Sequence, residues 1–509
     1  AEQFTKANLL FASMPQTQAL KAYRAYGQLV LAGLEAQKNQ LSRSRELLAD
    51  SEPNLGNLSD YVLQLTYLQI EGDLALRSRA PATAEKAFNS ALKIGKAWLQ
   101  LLHSDRDRLA WNAQMGNIYR ALVKIYALDQ QDPARALATW EEYRSIATKV
   151  KDRSDLNRDT ADGWLKSVTA SLTDKTAISY VQFEDGLAIW LVDDRGLQFR
   201  WQTITASEME KKASRFRLLC SDRLSNTNDL DSIERELYAL LLAPFESQLD
   251  SHRVLVIETD TSLTGVPFSA LRDSTGHYLL EQFTTLYSPG LAFESTIEHP
   301  SGHRLLELRA LIVAPPAPDS PLDLLPLRDA VLEAQEVGKH FVNPKVLSGS
   351  EATLAGFGKE IENSGVFHFA GHAVLMGDAI GLVFTSAPNS FTASGTALLS
   401  SETIEKGNLR HLRLVVLAAC STAGGPQSDT IGRDNLVGEF LRAQVPHVIA
   451  MDWDVDSATT RMLMESFYSG LDADGTVPKA TRSAQLVLLS HPQTSHPFYW
   501  AAVSAFGGS

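Results

Sequence analysis

Five short, nearly unbroken apolar runs in the carboxyl-terminal half constrain this chain more than any other feature. They are residues 254–258, 310–314, 365–370, 412–419 and 447–451. Runs this short, bounded by turn signals and lacking polar alternation, read as strands buried on both faces. Stretches with helical periodicity lie between them, at 325–341, 353–363, 401–406, 435–443 and 457–470. Strands alternating with helices predict a mostly parallel sheet flanked by helices. Sheets of that kind bind ligands beyond the carboxyl ends of their strands.

The first 170 residues carry a different pattern, helix after helix. Tyr23, Tyr26, Val30 and Leu34 recur at helical spacing and place an apolar stripe on one face. Asn54-Leu55-Gly56-Asn57 interrupts, and Ser59 or Asp60 is positioned to cap the next helix, which carries Leu65, Leu68 and Leu76. Further helices are expected over 83–95 and 108–128, and Asp132-Pro133 opens another, with Pro in its first turn. Met115-Gly116-x-x-Tyr119 resembles part of a tetratricopeptide repeat, with Ala136 and Tyr143 in its second helix; Ala84, Ala87 and Ala91 suggest another second helix. No strict 34-residue period survives, so a generic helical bundle stays open. Stacked helix pairs present a concave surface suited to a partner protein.

Near Ala177 the period switches. Segments 177–183, 187–192 and 197–203 are short and rich in apolar, β-branched and aromatic residues, with Asp185-Gly186 and Arg195-Gly196 as turns, which predicts a β-meander. A helix is expected to follow at about 231–242.

The net charge of −13 argues against direct nucleic-acid binding, which needs a basic face. No apolar run reaches the roughly 18 residues of a membrane span. Two cysteines, Cys220 and Cys420, make no disulfide framework; one bridge is possible on paper, but a reduced compartment is the simpler reading. The expected location is the cytoplasm, or outside it if Ala1 follows a removed signal peptide; a start at Ala1-Glu2-Gln3 also fits a fragment of a longer protein.

Two of the strands run into reactive side chains. Val366-Phe367-His368-Phe369-Ala370-Gly371 is followed by His372, and Leu414-Val415-Val416-Leu417-Ala418-Ala419 by Cys420, 48 positions on. Both side chains are expected at the carboxyl edge of one sheet, and they meet if the strands are neighbours. A thiolate is the nucleophile of cysteine hydrolases, and an adjacent imidazole takes its proton and returns it to the leaving amine. Gly371 lets a substrate backbone approach. The backbone N–H groups of Cys420 and Ala373 are candidate oxyanion donors. Against this, a lone strand-end Cys is more often a small buried hydrophobe. Here both residues sit at strand ends, and small residues follow the Cys.

At these residues the sequence resembles the CHAT family, caspase-like peptidase domains often found behind tetratricopeptide repeats. His368-Phe369-Ala370-Gly371-His372 is similar to its His-Phe-Ala-Gly-His-Gly box, and Leu417-Ala418-Ala419-Cys420-Ser421-Thr422 to its Leu-Ser-Ala-Cys-Glu-Thr box. Asp452-Trp453-Asp454-Val455-Asp456 resembles its Leu-Trp-Pro-Val-Asp segment, and 496–502 its His-Pro-Tyr-Tyr-Trp-Ala-Ala box. Gly265-Val266-Pro267-Phe268-Ser269-Ala270-Leu271 resembles an upstream Leu-Pro-Phe-x-Ala-Leu segment. The matches span about 177–507 in the family's order, and the His–Cys spacing is that of caspases.

The resemblance implies an α/β caspase-like fold behind an all-α, tetratricopeptide-like array. The expected divisions are 1–170 helical, 177–300 meander and first part of the CHAT domain, and 301–509 its catalytic part. It implies a cysteine endopeptidase of the caspase, gingipain and separase class acting on a protein substrate, with His372 as base and Cys420 as nucleophile. No metal or cofactor is implied, and a regulatory protein on the helical repeats is the expected partner. His368 is expected to be structural.

The sequence departs from the family at Ala373, where Gly is usual, and at Ser421, where Glu is usual. Ala418 stands where caspases carry the Gln that helps bind a P1 aspartate, which speaks against Asp specificity. Separase cuts after Arg, but its acidic residue falls near Arg461 here. Asp452, Trp453 and Asp454 are the substrate-binding candidates, since a carboxylate recognises a basic P1 side chain by a charge-assisted hydrogen bond. Of these Asp454 is the better specificity candidate, and Asp456 is expected to cap the following helix. Segments 421–433 and 385–398 read as loops, the first a candidate switch. Other functions stay open: a catalytically silent CHAT scaffold binding a partner, a nucleic-acid- or effector-gated adaptor, or a hydrolase of a non-peptide acyl group. Cys220 reads as structural.

Overall fold

The computed structural model describes residues 17–55, 60–147, 161–294, 304–316, 324, 326–327, 329–376, 379–386, 397–419, 422, 436–473 and 475–508. The chain divides into two compact units, Ala1–Ile146 and Ala147–Ser509.

The first unit is built from helix pairs. They are α1 (Gln18–Gln37) with α2 (Leu41–Leu55), α3 (Tyr61–Arg77) with α4 (Pro81–Leu99), and α5 (Asp105–Lys124) with α6 (Pro133–Ala147), where Asn112 donates to the Tyr143 carbonyl. Each pair turns through one residue in the left-handed region, Asn39, Arg79 and Gln131, two positions before the second helix begins. That shared turn carries the repeat even though the sequence shows no strict period. Asp60 caps α3, its carboxylate accepting from the Val62 and Leu63 amides. The Tyr23–Leu34 stripe exists, yet Tyr23 and Tyr26 are exposed; α1 buries the neighbouring set Ala25, Leu29, Ala32 and Ala36 instead. Small residues win the interface because they let helices approach closely. Ala84, Ala87 and Ala91 are buried on α4, and a methyl on Gly95 would lie 2.2 Å from the Met115 sulfur.

In the second unit α7 (Ala161–Ser171) precedes the meander β1 (Lys175–Phe183), β2 (Gly186–Asp193) and β3 (Gly196–Gln202). Next come α8 (Ala206–Ser221), α9 (Thr227–Leu241), β4 (Val254–Glu258) and β5 (Thr284–Tyr287). α8 went unread in the sequence, although Thr205 and Glu208 form a capping box at its start. The chain continues through β6 (Ala310–Ala314), α10 (Ala330–Lys339), β7 (Pro344–Ser348), α11 (Leu354–Ile361) and β8 (Val366–Gly371). A three-stranded insert follows: β9 (Ala373–Met376), β10 (Ala379–Phe384) and β11 (Ala397–Ser400). The expected loop over 385–398 thus runs into β11, and its residues 387–396 lie outside the described residues. The chain closes with α12 (Ser401–Lys406), β12 (Leu414–Ala419), α13 (Leu436–Arg442), β13 (His447–Met451), α14 (Ser457–Asp472), α15 (Val477–Ser490) and β14 (Val503–Gly507).

One sheet gathers eleven strands in the order β3-β2-β1-β4-β5-β14-β13-β12-β8-β6-β7. From β4 outward every neighbouring pair is parallel except β14 with β13, so β4, β5 and β14 run opposite to β13, β12, β8, β6 and β7. The meander joins it through a parallel β1–β4 pair. Both faces of the central strands are covered. Phe367, Phe369, Val415 and Leu417 pack in one core with Phe357 of α11, Phe440 of α13 and Leu382 of the insert. His368 turns to the other face, toward α10 and α14. This is the α/β fold expected, mostly parallel and flanked by helices behind a helix-rich front.

Candidate functional site

β8 and β12 are adjacent and parallel, and their register runs from Leu414↔Val366 to Ala419↔Gly371. Both strands are buried throughout, which is why they read as continuous apolar runs. Gly371 is required at the end of β8: a methyl there would lie 2.8 Å from the Phe369 ring and 3.2 Å from Pro315. His372, next in the chain, is half-buried. Its carbonyl accepts from the Val383 amide at 2.9 Å, which hangs the insert on the end of β8. Residues 372 and 383 therefore form a hydrogen-bonded pair, and Ala373↔Leu382 is the alternate, non-bonded one. The Ala373 N–H is thereby directed away from β10, on the outer edge of β9. Cys420 follows Ala419 in the chain and lies outside the described residues, as does the segment 421–433 apart from Thr422.

A cleft opens over the carboxyl ends of β8, β12 and β13. Glu333, Gly371, Ala419, Met451, Trp453 and Thr460 are among its walls. Its cavity is about 30 Å³. Trp453 is buried and its indole N–H donates to the Phe498 carbonyl at 2.9 Å, so the terminal 496–502 segment supports this wall. The His496 ring caps that segment, accepting from the Phe498 amide, and burial lowers its pKa below the ordinary histidine value.

The three aspartates occupy different surroundings. Asp454 is exposed, three residues past β13. Asp456 caps α14, accepting from the Thr459 amide and hydroxyl. Asp452 is buried, accepts from the Ser504 hydroxyl at 3.2 Å and is not among the cleft's walls. Burial pushes its carboxyl up to about 6, with Arg217 opposing that shift. Arg461 ion-pairs with Asp329 at 3.4 Å, and Asp329 also accepts from the Ser457 hydroxyl.

Sequence reasoning missed two features. Beneath the cleft, fully buried His368 sits between Tyr468 (Nδ1 to OH, 3.0 Å) and Glu333 (Nε2 to Oε1, 2.9 Å). A carboxylate only accepts, so Nε2 donates to Glu333; with the ring neutral, Nδ1 accepts from Tyr468. Burial and the nearby Glu333 charge raise the Tyr468 phenol well above its ordinary pKa. Both partners lie on helices whose facing only the fold reveals. The second is Thr422, whose buried hydroxyl bonds to β12 and β13. Its place in the Cys box was the only signal. Among the described residues no helix is long and apolar enough to cross a membrane, and no three His, Cys, Asp or Glu side chains cluster as metal ligands.

A family model, the CHAT domain, matches residues 232–508. Tetratricopeptide repeat protein 28 of Mus musculus is 26% identical over 322 residues, covering 54% of this chain and 13% of that protein. Its Homo sapiens counterpart is 23% identical over 320 residues, with the same coverage. The chain thus spans a small part of the curated relatives it matches. Among solved structures, the Saccharomyces cerevisiae separase–securin complex aligns with a TM-score of 0.51 and 9% identity, over 99% of this chain and 48% of that one. At that identity the likeness concerns fold alone. The family model marks a CHAT domain over more than half of the chain, and the solved structure shares its fold.

Proposed function

The chain belongs to the CHAT domain family, and from that premise we propose that it is a cysteine endopeptidase acting through His372 and Cys420. The observation that carries this reading is the pairing of Gly371 with Ala419 on neighbouring parallel strands, since His372 and Cys420 are the next residues of each chain segment. Successive Cα atoms are 3.8 Å apart and paired strands about 4.8 Å, a scale on which an imidazole reaches a thiol.

In the proposed reaction His372 takes the thiol proton and the Cys420 sulfur attacks the scissile carbonyl. The tetrahedral oxyanion is held by the N–H groups of Ala373 and Cys420. The outward direction of the Ala373 N–H supports its part in this. Collapse breaks the C–N bond, the amine leaves with the proton from His372, and a thioester remains. Water, deprotonated by His372, then releases the acid and restores the thiol. Asp454, exposed just beyond β13, is the proposed contact for a basic P1 side chain, with Trp453 forming the neighbouring wall. A protein held by the helix pairs is the proposed regulator.

One observation favours a second reading, a CHAT domain that binds a partner without cutting. The cavity over the strand ends is small, about 30 Å³. Incubating the wild type and Cys420→Ala with a mixed peptide library, and reading cleavage sites by mass spectrometry, tests the first reading. Cuts made only by the wild type support it. If the folded wild type makes no cuts and an electrophilic peptide probe leaves Cys420 unmodified, the binding reading replaces it.

A further inference from the structure

The ladder between β12 and β13 ends at Leu417↔Ala450, one pair short of the cleft. The next residue of β13, Met451, forms part of the cleft wall, and its amide finds a side chain rather than a backbone carbonyl. That side chain is Thr422. Its Oγ1 accepts from the Met451 N–H at 3.1 Å, and its single proton is shared between the carbonyls of Ala419 at 3.1 Å and Leu417 at 3.3 Å. One fully buried hydroxyl thus replaces a missing rung and joins two strands where they diverge.

We propose that Thr422 is a positioning residue for the thiol of Cys420, an inference that rests on the peptidase reading above. Cys420 lies one residue beyond Ala419, which is held against Gly371, and two residues before Thr422, which is held against Met451. Both anchors are strand-level contacts within two residues of Cys420 in the sequence. The hydroxyl is the necessary group. Valine has threonine's shape and fills the space but neither accepts from Met451 nor donates to Ala419, and it strands the Met451 N–H in a buried site.

The experiment uses the full chain as wild type, Thr422→Val and Thr422→Ser, with a peptidyl acyloxymethyl ketone as probe. The inactivation rate at saturation is separated from the apparent probe affinity, and modification is read at Cys420 by mass spectrometry. T422V is expected to lower the saturating rate about tenfold, the rate equivalent of one hydrogen bond, with affinity within about twofold; T422S is expected to recover most of it. Amide exchange of the peptide spanning Met451 is followed in parallel and should rise in T422V alone. A T422V rate equal to wild type overturns the proposal, as does T422S failing alongside T422V, which would assign the effect to packing of the methyl. Unchanged exchange in T422V overturns it whether or not the probe reacts. If the wild type itself is not labelled, the peptidase reading fails and the positioning role falls with it, while the exchange result still reports whether the hydroxyl holds the strands.

Discussion

Gly371 and Ala419 stand opposite each other on adjacent parallel strands, and the residues next in sequence are His372 and Cys420. The relationship is one of register, and a one-residue slip in a strand moves every side chain to the other face. Inserting one Ala between Ala419 and Cys420 should therefore abolish peptide cleavage, as Cys420→Ala does. His372→Ala should lower it by about 10²–10⁴. Thermal unfolding should show all three variants folded; cleavage surviving the insertion would defeat the dyad.

The His368 ring bridges Glu333 and Tyr468 in a fully buried site. Tyr468→Phe removes the hydroxyl that donates to Nδ1 and leaves that nitrogen buried without it. The expected loss is about 1–3 kcal/mol, read as a lower urea midpoint with unchanged slope. A loss under about 0.5 kcal/mol would mean the bond adds nothing beyond packing.

Burial raises Asp452 to about 6 and Glu234 to about 7, in the second case against the pull of Arg272. Both pKa values lie above those of the unfolded chain, so the folded state holds protons that the unfolded state releases. The associated stability is complete below the ordinary carboxylate range and is lost as pH rises through about 6 and about 7. Denaturant midpoints between roughly pH 4.5 and 8 should carry this downward contribution. Asp452→Asn should flatten the part near pH 6 and be more stable than wild type at the alkaline end. Identical pH profiles for variant and wild type would contradict the shift.

Gly507 and Gly196 both adopt left-handed backbone, with φ of 137° and 130°, but in different surroundings. A methyl on Gly507 would lie 1.9 Å from the Pro446 carbonyl oxygen, whereas one on Gly196 meets nothing within 4 Å. Gly507→Ala should cost about 1–3 kcal/mol more than Gly196→Ala, because it combines backbone strain with a clash that pries β14 from β13. Equal losses in chemical denaturation would show that the contact relaxes freely.

Local pattern determined much of this protein. Apolar runs of five to eight residues foretold β4, β6, β8, β12 and β13, because a strand buried on both faces must be apolar at nearly every position. Asp60, Asp132-Pro133 and Asp456 announced helix starts through backbone groups only a few residues away. The motif order pointed to the family, and His372 stood out because it directly follows a strand end. Contacts between distant segments were decided by tertiary structure alone. The Tyr23 stripe looked like a core face, yet α1 buries its alanines, since which side of a helix is covered depends on its neighbour. β14 enters between β5 and β13 from the far end of the chain, and no local period encodes such a pairing. The same holds for Glu333, His368 and Tyr468, and for Thr422 on Met451: a hydrogen bond between segments far apart in sequence leaves its trace in neither segment, and appears only once the sheet has fixed the distance between them.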